Sequence, residues 1–201
     1  NFLSFVQSGV DPRTGQYTVN LALPEIKAND LRGPVVPASL SFNPYNTRNS
    51  GFGVGWELRL SQYDADKQVI ALSSGETFKV TGSSSTDPTR LLMAEQKIES
   101  FHFHRDTPNR YRIVHKSGVV EILGREGDLF LPQSIYSVEG HEVSLRYLPF
   151  NNGISRLHTV TDAQGSTLLE INLPTSAVEI LLRPDGTPGG GLARFEMKLR
   201  N

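Results

Sequence analysis

The feature that most constrains this chain is an alternation of apolar and polar residues with a period of two, interrupted every few residues by Gly, Asn, Asp or Pro. Successive side chains on a β-strand point to opposite faces, so the pattern predicts half-buried strands joined by turns. Tyr17, Val19, Leu21 and Leu23 share one face of such a segment, opposite Thr18, Asn20 and Ala22. Trp56, Leu58 and Leu60 oppose Glu57, Arg59 and Ser61, and Phe101 and Phe103 oppose His102 and His104. Later segments keep the pattern: Val143, Leu145 and Tyr147 oppose Glu142, Ser144 and Arg146, and Ala193, Phe195, Met197 and Leu199 oppose Arg194, Glu196 and Lys198. One buried and one wetted face belongs to an antiparallel sheet, because strands of parallel sheets are covered on both faces and are apolar throughout. Helix signals are nearly absent.

The interruptions predict hairpins in series. Asp64-Ala65-Asp66-Lys67, Ser73-Ser74-Gly75-Glu76, Lys116-Ser117-Gly118, Val138-Glu139-Gly140-His141 and Asp162-Ala163-Gln164-Gly165 each supply the Gly or Asp that tight turns require. Asp11-Pro12 and Gly15 suit a turn that launches the Tyr17 strand. The stretches 82–89 and 183–191 read as exposed loops, the second as a joint before a last strand. The expected fold is all-β: an antiparallel meander of roughly a dozen strands, curved or twisted, forming one module over residues 1–201.

Composition narrows the function. The 201 residues contain no cysteine, which excludes disulfides, thiolate catalysis and Cys-ligated zinc. The formal net charge of -1 is scattered, so the chain advertises no surface for nucleic acid. No apolar run is long enough for a membrane-spanning helix, and no signal peptide is visible at Asn1. Because the chain starts without Met, it is expected to be a piece of a larger protein.

Three sets of residues along the chain resemble a known family. They are Gly9-Val10-Asp11-Pro12-Arg13-Thr14-Gly15-Gln16-Tyr17, then Leu40-Ser41-Phe42-Asn43-Pro44, then Gly51-Phe52-Gly53-Val54-Gly55-Trp56-Glu57-Leu58. Together they resemble the amino-terminal part of Rhs/YD-repeat proteins and the SpvB-type start of the B component of Tc insecticidal toxins. The segments 131–141 and 156–165 are similar to that superfamily's degenerate strand-turn-strand repeat, while the YD dipeptide occurs only as Tyr63-Asp64. The resemblance implies a β-ribbon spiralling into a hollow shell, a β-cocoon, around a cytotoxic carboxy-terminal segment. It also implies a secreted or secretion-system-delivered protein whose partners are the rest of the same polypeptide and the enclosed toxin. Unpaired sheet edges invite self-association of an excised piece.

The residue chemistry offers little beyond structure. Gly51, Gly53 and Gly55 lack the strand-to-helix context of a phosphate loop, so they are read as setting a bend, with Trp56, Phe52 and Phe42 anchoring the core. His102 and His104 share a strand face and would bind a metal only with a third ligand, for which His115 is the candidate; otherwise they form a solvated polar face. Ser155, His158 and Asp162 have no nucleophile-elbow context. No enzyme, metal or cofactor is therefore expected. The alternative to a shell wall is a carbohydrate- or receptor-binding module using Tyr45, Tyr63, Tyr111 and Tyr136 near the turns. Trp56 separates the two readings. As a buried plug it should emit in the blue, resist soluble quenchers and cost about 3–5 kcal/mol on Trp56→Ala; an exposed Trp56 whose emission shifts with glycans would favour the sugar site.

Overall fold

The structure, a computed structural model, describes residues 6–10, 15, 17–28, 33–36, 39–96, 99–174, 176–184 and 191–198. Among these residues every regular element is a strand, and there is no helix to cross a membrane. The amino-terminal part holds β1 (Val6–Val10), β2 (Tyr17–Ala22), β3 (Ile26–Lys27), β4 (Val35–Val36), β5 (Ser39–Phe42) and β6 (Trp56–Leu58). A four-stranded antiparallel sheet runs β1-β2-β5-β6, and β3 and β4 form a separate hairpin between β2 and β5. Val10 pairs with Tyr17 across the first hairpin, but the expected Asp11–Pro12 turn lies outside the described residues.

The most regular alternation produces a closed barrel. Its strands are β7 (Gln62–Asp64), β8 (Val69–Ala71), β9 (Thr77–Ser83), β10 (Arg90–Met93), β11 (Phe101–Thr107), β12 (Arg110–His115), β13 (Val120–Glu126) and β14 (Leu129–Tyr136). Each pairs antiparallel with the next, and the ring closes where Phe130 of β14 meets Tyr63 of β7. The inward phase of these strands supplies an aromatic core: the Tyr63, Phe103, Tyr111 and Phe130 rings lie with centroids 4.7–6.2 Å apart. Such pairs add specificity beyond the area they bury. Near the closure the core admits one buried acid, Glu121. Its Oε1 accepts from the Ser61 hydroxyl at 3.0 Å and lies 2.6 Å from His115 Nε2, so the buried carboxylate is satisfied.

Closure leaves β14 with two clients on one edge. Its first half meets β7, whereas Ser134–Tyr136 pair with β15 (Glu142–Asn151). Pro132 stands between the two, opposite a register shift in β13, and as a proline it has no N–H to leave unpaired at the fork. Its carbonyl accepts from the Tyr147 hydroxyl at 2.6 Å. From β15 the sheet continues through β16 (Ile154–Asp162), β17 (Thr167–Asn172), β18 (Ala177–Leu182) and β19 (Ala193–Lys198). This extension packs against the four-stranded sheet around a second core that includes Leu21, Leu40, Leu145, Leu157, Leu169 and Ile180.

The all-β antiparallel expectation is met, and all five turns expected from the later interruptions fall between consecutive paired strands. Two details differ. There are nineteen strands among the described residues rather than about a dozen, because elements as short as β6, β7 and β8 hold too few alternations to read. Gly82 and Ser83 belong to β9 and not to the following loop. Most of the expected joint at 183–191 lies outside the described residues; β18 and β19 on either side of it pair in continuous register.

Two outcomes are expected. Phe103→Ala removes a fully buried ring from the barrel and should cost about 3–5 kcal/mol in urea unfolding. On the outer face, Arg112 forks onto Asp106 at 2.9 and 3.0 Å, and these hydrogen bonds hold the Asp106 carboxyl below its usual range. A depressed carboxylate stabilises the fold above its unfolded pKa, near 3.9, and that contribution disappears as pH falls through the lower folded value. Asp106→Asn should therefore lower stability at neutral pH and flatten the acid limb of the stability profile.

Candidate functional site

A cleft of about 310 Å³ lies where the barrel, the four-stranded sheet and the β15–β16 hairpin meet. One wall is the loop between β5 and β6. Gly51, Gly53 and Gly55 have φ values of +100°, +98° and +84°, a region other residues enter at a cost. The Asn49 side chain fixes the curve by accepting from the Gly51 and Gly53 amides at 2.9 and 3.2 Å. Close packing explains two of the glycines further. A Cβ at Gly51 would stand 2.5 Å from Arg156 Cδ, and one at Gly55 would stand 2.7 Å from the Phe42 ring.

This loop buries Phe52, at 3% exposure, in the sandwich core. Trp56 and Phe42 are half-buried and lean on each other with centroids 5.3 Å apart. Phe52 therefore fills the bend, and Trp56 covers its flank. The expected cost of Trp56→Ala falls accordingly below that of a fully enclosed aromatic.

The opposite wall is a clasp between two turns. The Asp128 amide donates to the Gly153 carbonyl at 2.8 Å, and Gly127 bridges Ile154. A Cβ on either glycine would collide with the other turn. Arg156 runs between the walls, its stem over Gly51 and its guanidinium donating to the Ile171 carbonyl at 3.1 Å. It is only 7% exposed, and burial draws its pKa down. Around the mouth stand Glu57, Asp64, Asp66, Glu126 and Asp128, with Arg48 and Lys67. Asp64 is held below its usual pKa chiefly by the Lys67 amide, and Lys67 Nζ lies 3.3 Å from it.

The residues singled out by sequence fare differently. Tyr63 and Tyr111 are 5% and 4% exposed inside the barrel, so neither ring offers a face to a sugar. The alternation that made them turn-proximal also put them on the inward phase. Tyr45 is 76% exposed and Tyr136 half-buried. His102 and His104 do share a face, with rings 6.3 Å apart, and their partners are Glu99 at 3.5 Å and Asp87 at 3.7 Å. His104 is held below the ordinary histidine pKa, first by burial and then by the Arg112 charge. His115 cannot join them: it pairs with Phe101, which points inward, and directly opposed residues share a face. Ser155, His158 and Asp162 are strung along β16 with separate tasks. His158 meets the Ile171 carbonyl, and Asp162 accepts from the Gln164 and Ser166 amides to tie its turn.

Sequence reasoning missed Arg156 and the Gly127–Gly153 clasp. The dipeptides Gly127-Asp128 and Asn152-Gly153 were turn signals available to it, whereas nothing local marks an arginine on a strand as buried.

No protein-family model and no curated protein sequence matches the chain. Solved structures do. The crystal structure of TcdB2-TccC3 superposes on 88% of this chain with a TM-score of 0.55 at 13% identity, and that of TcdB2-TccC3 without its hypervariable C-terminal region on 87% with 0.54. This chain spans only 11% of either. The N-terminal domain of the effector protein SpvB from Salmonella typhimurium strain LT2 matches over 80% of this chain and 72% of its own length, with a TM-score of 0.50 at 12% identity. The chain thus shares its fold with TcdB2-TccC3 and with the N-terminal domain of SpvB, the effector protein whose type of amino-terminal start the sequence motifs resemble.

Proposed function

We propose that this chain is a non-catalytic module, a single unit over residues 1–201, in the wall of a toxin shell built by a longer Rhs/YD-repeat-type polypeptide. The shell encloses a cytotoxic segment until a secretion route delivers it. The observation that carries this reading is the fold likeness to TcdB2-TccC3 across 88% of the chain. The polar chemistry of the histidine and Asp162 clusters supports it, because these groups satisfy a buried carboxylate, tie a turn or pair charges on a wetted face. Among the described residues β19 is the last strand of the sheet, and the proposed shell continues from it through the remaining polypeptide.

Limited proteolysis of the full polypeptide that contains this chain tests the reading. A carboxy-terminal segment should stay intact while the shell is folded and be cleaved at once after denaturation. Cleavage at the same rate in both states overturns the proposal. So does a glycan that binds the intact protein and loses its site on Tyr45→Ala, which would transfer the role to carbohydrate recognition.

A further inference from the structure

We propose that the cleft beside the glycine loop binds an extended peptide segment, with Arg156 pairing an acidic side chain of that segment and the carboxylates at the mouth pairing basic residues that flank it. This goes beyond the shell reading and would hold for a wall module or for a free one.

Arg156 is the reason to look here. A guanidinium carries five N–H donors, and burying such a cation is unfavourable unless a countercharge comes with it. Arg90, Arg112 and Arg194 are each more exposed and each meets a carboxylate. Arg156, at 7% exposure, makes one hydrogen bond to a main-chain carbonyl and no ion pair among the described residues, and it lines the cleft. The arrangement asks for an anion.

The rest of the cleft decides which anion. Glu57, Asp66, Glu126 and Asp128 stand around the same space without an ion pair among the described residues, and they outnumber the other cations there, Arg48 and the Asp64-paired Lys67. They repel a bare anion, and a bare cation would leave Arg156 unpaired. An acidic residue flanked by lysine or arginine answers both. Phe52, Leu58, Leu131 and Leu157 also line the cleft, which suits aliphatic side chains beside the charged ones. The ligand is held by side chains and not as an added strand, because the free edge of β6 is already engaged. Its Trp56 carbonyl accepts from the Ser50 hydroxyl at 2.9 Å, and its Leu58 carbonyl accepts from the Leu60 amide at 3.1 Å.

The test uses the unaltered chain and two synthetic peptides, acetyl-Lys-Leu-Glu-Leu-Lys-amide and the same peptide with Gln for Glu. Binding is followed by calorimetry and by emission from Trp56. The Glu peptide should bind, and the Gln peptide should bind about tenfold more weakly, as expected when a charged hydrogen-bonded pair is lost. Arg156→Gln should abolish that difference, and Asp66→Lys with Glu57→Lys, both exposed, should weaken the Glu peptide without lowering the melting temperature. Should Arg156→Gln fail to fold, the comparison of the two peptides on the unaltered chain and on Arg156→Lys decides. No binding, equal binding of the two peptides, or acetate binding as tightly as the Glu peptide overturns the proposal.

Discussion

The meeting of β14 with β7 is the contact on which the rest of the structure depends. Without it, β7 to β14 would be an open ribbon, and the Tyr63 and Tyr111 rings would face water across an unclosed sheet. Closure removes two sheet edges and gives the aromatic core an inside. It also commits β14 to divide its edge between the barrel and the extension, and Pro132 stands where that division falls. A residue with an amide hydrogen there would need a partner from one sheet or the other. The two hydrophobic cores thus share one strand, and a disturbance on either side of Pro132 is transmitted to the other.

The cleft is a by-product of the same geometry. The β5–β6 loop must fold back to reach the sandwich, and it does so with three glycines and one inserted ring, Phe52. The bend leaves space for the Arg156 stem, and the stem in turn occupies the place a side chain at Gly51 would take. Shape and charge at this junction are therefore one problem: the conformation that seats Phe52 also shelters the arginine from solvent.

Most of the fold was legible because its pattern is local. Strand phase, hairpin turns and the inward residues Phe101 and Phe103 follow from alternation alone, and so does the absence of helices. What was hidden depends on partners distant in sequence. That Phe130 would meet Tyr63, and so make a barrel of a meander, is not written in either segment. For His115, the strand reading gave a face but not which face was inside, and Glu121 claimed it. Phase also explains Trp56: it lies in register with Leu58, but β6 is an edge strand, so one side of the ring has no neighbouring strand to cover it. Tyr45 is exposed because it sits in a turn, where alternation no longer applies.

The hydrogen bond that closes the clasp between Gly127 and Gly153 is made of main chain, and the Asp128 carboxylate lies against Gly153 where a side chain would otherwise stand. Neither glycine leaves room for a side chain of its own, so no graded exchange of residues at these two positions can adjust the approach of the turns. Sequence drift at this corner has few intermediate steps available: the two turns approach with both glycines in place, or they move apart together. Where other joints of the molecule can be adjusted by degrees, this one behaves as a fixed dimension, setting how far the β15–β16 hairpin stands from the barrel and hence how wide the cleft beside it is.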